Sequence, residues 1–179
     1  MEKADRQSLL QKAIESRPSR WADFGSGNGA FTLTIAELGG PDVEIYSIEK
    51  NAWRLREQEE IFRHRTDLLS RMHFICADFL EPLDIPPQDG IIFANSLHFV
   101  ENKVALLRKA ARYLAPHGRL VVVEYDTAEP SVFVPYPLPF AELDPLIRAT
   151  GNFTDPQPIG IAPAKYFNGA YSALMTKTR

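Results

Sequence analysis

The sequence predicts an α/β fold: a mostly parallel sheet covered by helices on both faces. Strand-like and helix-like segments alternate five times between residues 20 and 126, the pattern of right-handed strand–helix–strand crossovers. "DGIIFAN", residues 89–95, is an almost unbroken apolar run, as in a strand buried on both faces. A glycine-rich turn, "WADFGSGNGAF" at residues 21–31, follows the first strand. In open α/β sheets that is where ligands bind.

Taken in order, residues 5–16 carry Leu9, Leu10, Ala13 and Ile14 at helical spacing, and Pro18 closes the segment. "RWADFG" reads as a strand entering the turn. "AFTLTIAEL" is the helix that follows, stopped by "GGP" at 39–41. "VEIYSIE" at 43–49 alternates as a strand, and Asn51 is placed to cap a charged helix over 51–65. "MHFICAD" is a strand ending at Asp78, with Cys76 expected as a buried structural thiol. "ENKVALLRKAARYLA" is helical, "PHG" at 116–118 is a turn, and "RLVVVEYD" is the most strand-like segment of the chain. The segment "TAEPSVFVPYPLPF" at 127–140 holds four prolines and cannot be regular. "AELDPLIRAT" is a short helix ended by Gly151, and "PQPIGIAPA" and "YFNGAYSALMTK" read as two closing strands.

No repeat, low-complexity tract or linker divides the chain, so residues 1–179 read as one domain with room for a substantial core. A net charge of −3 provides no basic field for nucleic acid or anionic lipid. A single cysteine excludes an intrachain disulfide and a multi-cysteine metal site. With no signal-peptide pattern and no apolar stretch near membrane-span length, the expectation is a soluble protein of a reducing, cytoplasmic compartment without a membrane partner.

The acidic residues identify the ligand. Asp23 stands beside the turn, Glu49 ends the second strand and Asp78 the third. Gly25, Gly27 and Ala30 also satisfy the loose dinucleotide fingerprint, which leaves a nicotinamide cofactor open. Three features favour S-adenosylmethionine instead. Asp23 would repel a pyrophosphate but attract an ammonium; the Gly25, Gly27, Gly29 spacing differs from the dinucleotide loop; and Asp78 suits an adenine amino group.

"DFGSGNG", Glu49, "ADF" and "NSLHFV" together resemble the motifs of the class I S-adenosylmethionine-dependent methyltransferases, in that family's order over residues 21–100. The resemblance implies a Rossmann-like, doubly wound sheet of seven strands with an antiparallel last strand. It implies Asp23 near the methionine amino group, with Gly25, Gly27 and Gly29 admitting the cofactor to the backbone. Glu49 would hold the ribose, Lys50 would lie beside adenine, Asp78 would take its amine, and Phe79 would pack on its edge or face. Asn95, opening "NSLHFV", joins these contacts.

Methyl transfer from a sulfonium is an in-line displacement in which the protein mainly aligns the acceptor. A base is needed only where the acceptor must lose a proton. His98 is the candidate, with Glu124, Tyr125 and Asp126 ranked below it. His64, His73 and His117 show no metal spacing, so no metal is expected. The place of the DNA-adenine enzymes' Asp/Asn-Pro-Pro-aromatic run reads "NSLH", and no cysteine nucleophile follows the fourth strand. The acceptor is therefore expected to be a small or partly apolar molecule rather than nucleic acid, with Phe133, Tyr136 and Phe140 lining its pocket. A cofactor-binding subunit without catalysis is the alternative.

Overall fold

The computed structural model describes residues 1–15, 19–164 and 167–178. Seven strands form one sheet: β1 (Ser19–Phe24), β2 (Val43–Glu49), β3 (Met72–Cys76), β4 (Gln88–Ala94), β5 (Leu114–Tyr125), β6 (Gln157–Ala162) and β7 (Ala170–Thr176). Their order is β3-β2-β1-β4-β5-β7-β6. The first five run parallel, and β7 enters antiparallel between β5 and β6, as the family resemblance implies. From β1 the chain builds outward through β2 and β3, then returns to build β4 and β5 on the other side. The strand order therefore reverses between β1 and β4, and the glycine turn sits there.

The apolar runs are continuous because successive residues feed opposite layers. On β4, Ile91 and Phe93 face one core while Ile92 faces the other; on β5, Leu120 and Val122 alternate with Val121 and Val123 in the same way. Helices α1 (Lys3–Leu10), α2 (Ala30–Gly39), α3 (Ala52–Arg63) and α4 (Thr66–Leu69) cover one face. Helices α5 (Lys103–Tyr113) and α6 (Phe140–Thr150) cover the other. Asn51 caps α3, its Oδ1 accepting from the amides of Trp53 and Arg54. Gly151, at φ 71°, ends α6.

Several sequence expectations need correction. The first helix stops at Leu10, although Leu9, Leu10, Ala13 and Ile14 are all buried; Ser16 and Pro18 lie outside the described residues, as does Tyr166 of the last predicted strand. The helix over 51–65 breaks after Arg63, and α4 resumes at Thr66. "PHG" does not separate helix from strand: β5 runs through it, with His117 at φ 60° and a register shift against β4. Residues 115–118 stand opposite Asp89 alone, so the chain reversal expected at "PHG" is taken up inside β5 as this register shift. Cys76 is exposed, because β3 pairs only with β2 and its outward positions meet solvent. The third strand ends at Cys76 and the fourth at Ala94, one or two residues before Asp78 and Asn95.

At the centre of the sheet, a Cβ on Gly90 would lie 2.4 Å from the Trp21 ring. Gly90→Ala forces that ring out of a packed layer. A loss of about 1–3 kcal/mol is expected in urea unfolding, and an unchanged midpoint would show that the layer yields.

Candidate cofactor and active site

The turn after β1 is held from beneath by the end of β2. The amides of Gly25 and Ser26 both donate to Ile48 O, at 2.9 and 3.0 Å, and the Gly27 amide donates to Glu49 Oε2 at 2.9 Å. Glu49 Oε1 accepts from the Asn51 amide at 2.7 Å, so one carboxylate ties the turn to the start of α3. Ser26, Ser47 and Gln58 form a buried polar cluster below, with Ser47 Oγ 2.7 Å from Ser26 Oγ and 2.6 Å from Gln58 Oε1. Gln58 Nε2 also donates to Gly27 O at 3.3 Å.

The three glycines differ in role. Each has a positive φ. At Gly25 a Cβ would meet Ser96 Cβ at 2.8 Å and the Phe79 ring at 3.0 Å; at Gly29 it would strike Gln58 at 2.4 Å. Those two allow close packing of the protein on itself. At Gly27 nothing lies nearer than Arg54 Nη1 at 4.0 Å, so this position faces open space. That space is a cleft of about 540 Å³ bounded by Gly25 to Asn28, Ala30 and Phe31, by Ala94 and Asn95, and by Met1, Arg6 and Arg54.

Asp23 lies under the cleft, only 1% exposed. The Thr32 hydroxyl donates to Oδ2 at 2.6 Å, while Oδ1 is buried without a hydrogen-bond partner among the described residues. Burial pushes its carboxyl up to about 7, the Thr32 bond opposing and the Glu49 carboxylate adding to the rise. Asn95 Oδ1 is likewise buried and unpartnered, on a residue at φ 53°. Asp78 stands at the outer edge, where Oδ1 accepts from the Leu80 amide at 2.9 Å and Oδ2 is 3.5 Å from Lys50 Nζ. Lys50 is 71% exposed and directed at Asp78; its stem makes no wall of the cleft described above. Phe79 stacks on Phe24 with ring centroids 6.1 Å apart.

Beyond the cleft, a short 3₁₀ turn at Leu97–Phe99 carries His98. Its Nδ1 is 2.6 Å from Glu124 Oε2, and both side chains are almost fully buried. Glu124 Oε1 also accepts the Leu97 and His98 amides, at 2.9 and 3.2 Å. Among the described residues His98 Nε2 has no hydrogen-bond partner. Glu124, ranked below His98 as a base, is thus its direct partner. Asp126 is engaged elsewhere, accepting from the Phe140 amide at 2.9 Å, and the Tyr125 ring stacks on Phe167 at 4.4 Å. The three aromatics do not gather into one pocket: Phe133 is 79% exposed, Phe140 packs on Tyr171, and Tyr136, against Lys103, lines a separate hollow beside α5. No group of three His, Cys, Asp or Glu among the described residues is placed to hold a metal. Thr32, Ser47 and Gln58 carry no motif by which the sequence could single them out, and Ser96 lies within "NSLHFV" without a role of its own there.

Residues 17–149 match the family described as "Methyltransferase domain". The chain belongs to that family. Among curated proteins, this methyltransferase chain is 31% identical over 106 residues to the ubiquinone/menaquinone biosynthesis C-methyltransferase UbiE of Pasteurella multocida, covering 58% of this chain and 39% of that protein. It spans about two fifths of the length of the curated relatives it matches. A methyltransferase from Aquifex aeolicus superposes with a TM-score of 0.76 at 13% identity, over 97% of this chain and 89% of that one. The [4+2]-cyclase SpnF does so at 0.76 and 20%, over 97% and 80%; both likenesses concern the fold. The family's cofactor is S-adenosylmethionine, which goes against the nicotinamide alternative. The cleft fits it: open space over Gly27 and two unpartnered buried acceptors, on Asp23 and Asn95, suit a ligand bearing an ammonium.

Two outcomes follow. Gly27→Val should fold and lose S-adenosylhomocysteine binding in calorimetry, since its side chain fills ligand space; retained binding would move the ligand elsewhere. For Asp23, the unfolded carboxyl titrates near 3.8 and the folded one near 7, so folding takes up a proton between those values. Its contribution to stability falls as pH rises through that window and is level above it. In urea unfolding without cofactor, Asp23→Asn should gain on the parent from pH 4 to 7, by at most roughly 4 kcal/mol. A pH-independent difference would mean that the carboxyl stays ionised.

Proposed function

We propose that this chain is an S-adenosylmethionine-dependent methyltransferase acting on a small, partly apolar organic molecule, with residues 1–179 forming one domain. The observation that carries the reading is the buried His98–Glu124 pair beside the cleft. The family supports the methyl-transfer class; the acceptor is our inference from this pair and from the absence of nucleic-acid signatures. A net charge of −3 and one cysteine accord with a cytoplasmic setting and no nucleic-acid partner, and no described helix is long and apolar enough to cross a membrane.

Asp23 Oδ1 and Asn95 Oδ1 would hold the methionine ammonium, directly or through water, with Gly25 and Gly27 as the floor of the cleft and Gly29 seating the turn. Glu49, whose two oxygens each accept one backbone amide, keeps its remaining lone pairs for the ribose hydroxyls. Asp78 and Phe79 would meet the adenine, with Lys50 holding Asp78. When bound, the cofactor supplies an electrophilic methyl group on a sulfonium.

The protein's part in the reaction is alignment and one proton. Glu124 holds the Nδ1–H of His98, which leaves the lone pair on Nε2. An acceptor O–H or N–H would give its proton to His98 Nε2, and the positive charge then on the imidazole would be stabilised by Glu124. A second reading has a specific observation behind it. His98 is only 2% exposed and Glu124 also satisfies two loop amides, and on this reading the pair supports the loop in a binding subunit without catalysis.

Turnover separates the two. As a base, His98→Ala lowers the rate by roughly 10²–10⁴-fold with cofactor affinity intact. His98→Gln would not restore the rate. Recovery by Gln, with the loss confined to acceptor KM, would mean that the residue only shapes the loop; no turnover by the parent on any acceptor would favour the binding subunit.

A further inference from the structure

We propose that the acceptor carries an extended apolar chain, and that this chain lies in a furrow along the outer face of α5. The proposal rests on the reading of the protein as a methyltransferase and names the class of its substrate. Two hollows of about 470 Å³ each adjoin along α5 and share Ala105 and Lys109 as common wall. Leu80, Phe99, Val100, Leu106 and Tyr136 line the one nearer the active site; Pro82, Arg112 and Tyr113 continue the other. Each has the size of a small-molecule site.

The upper hollow lies against the loop that carries His98. Phe99 follows His98 in the chain, their rings 4.3 Å apart, and the Tyr136 amide donates to His98 O at 2.9 Å. The residues that wall the upper hollow are therefore tied to the loop that carries the base. An acceptor whose reactive group reaches His98 has its remaining atoms beside Phe99 and Tyr136.

The chemistry of the walls selects hydrocarbon. Leu80, Phe99 and Tyr136 are large hydrophobic side chains left open to solvent, and covering them removes apolar surface from water. Glu101 and Arg112 also border the hollows, and the other polar groups of the walls are already engaged. Lys109 Nζ donates to Leu80 O at 2.6 Å, so its ammonium is anchored and its methylenes line the wall. Lys103 Nζ donates to Val100 O at 2.8 Å, the Tyr113 hydroxyl accepts from the Leu83 amide, and Asn102 caps α5. Farther along, the Arg108 guanidinium is directed at the carbonyls of Ala149 and Thr150. An alkyl chain laid along the two hollows meets carbon along most of its length.

The test uses 4-alkylphenols with side chains of one to eight carbons, titrated by calorimetry into the full chain saturated with S-adenosylhomocysteine. Affinity should rise about threefold to fourfold per added methylene through the middle of the series. Ala105→Trp fills the shared wall from a solvent-facing helix position, and Leu80→Gln makes the upper wall polar. Both should cut the affinity of the eight-carbon phenol at least tenfold while leaving the one-carbon phenol and S-adenosylhomocysteine as in the parent. A flat series overturns the proposal, and so does a rising series that neither variant alters, since the chain would then lie elsewhere. S-adenosylhomocysteine titrated alone reports on the cofactor site separately: tight binding with a flat series removes the furrow and leaves the methyltransferase reading standing.

Discussion

The docking of the glycine turn onto the end of β2 is the constraint on which the rest depends. Two amides share the Ile48 carbonyl and a third takes one oxygen of Glu49. Those bonds set the height of the turn above the sheet, and the buried Ser26, Ser47 and Gln58 cluster sets its distance from α3. The turn can approach both only because Gly25 and Gly29 have no Cβ to strike Ser96, Phe79 or Gln58. Gly27 is then left as the exposed crest over the cleft. A change at any of these contacts alters the floor on which a cofactor would lie, without touching the cofactor itself.

A second anchorage stands on the far side of the strand reversal. Glu124 gathers three N–H groups from one short turn, two from the backbone and one from His98. The irregular segment after β5 is fastened to the same place through Tyr136 and at its base by Asp126 and Tyr171. Cleft and acceptor side are thus organised by two carboxylates, Glu49 and Glu124, each satisfying backbone amides before any ligand arrives. Asp23 differs: it is buried with one oxygen unpartnered, an arrangement that costs the free protein and that a bound ammonium would relieve.

Much of this was legible in the residues. Alternating segments gave the sheet, because a strand buried on both faces cannot hide its apolar run; Ile91 to Phe93 and Leu120 to Val123 are such runs. The turn was legible because three glycines in alternate positions have few other uses. The partnership of His98 with Glu124 was not, since 26 residues and a helix separate two side chains that only the β4–β5 pairing brings together. Gln58 was invisible for a similar reason: on a charged helix nothing distinguishes the one polar side chain that turns inward. Cys76 was misread because an apolar neighbourhood in sequence does not reveal an edge strand, and the aromatics of residues 133–140 because prolines disperse side chains that a regular element would align.

The central claim is that the turn after β1 and the ends of β2, β3 and β4 together form one cofactor site. Amide chemical-shift mapping by two-dimensional NMR, with S-adenosylhomocysteine added stepwise, tests it most directly. The account predicts the largest shifts at Gly25, Gly27, Asn51, Asp78 and Asn95, whose amides lie on or beside the cleft and its acidic partners, and little change at Arg112 or Thr154. Shifts concentrated away from the turn, or none at saturating ligand, would contradict it.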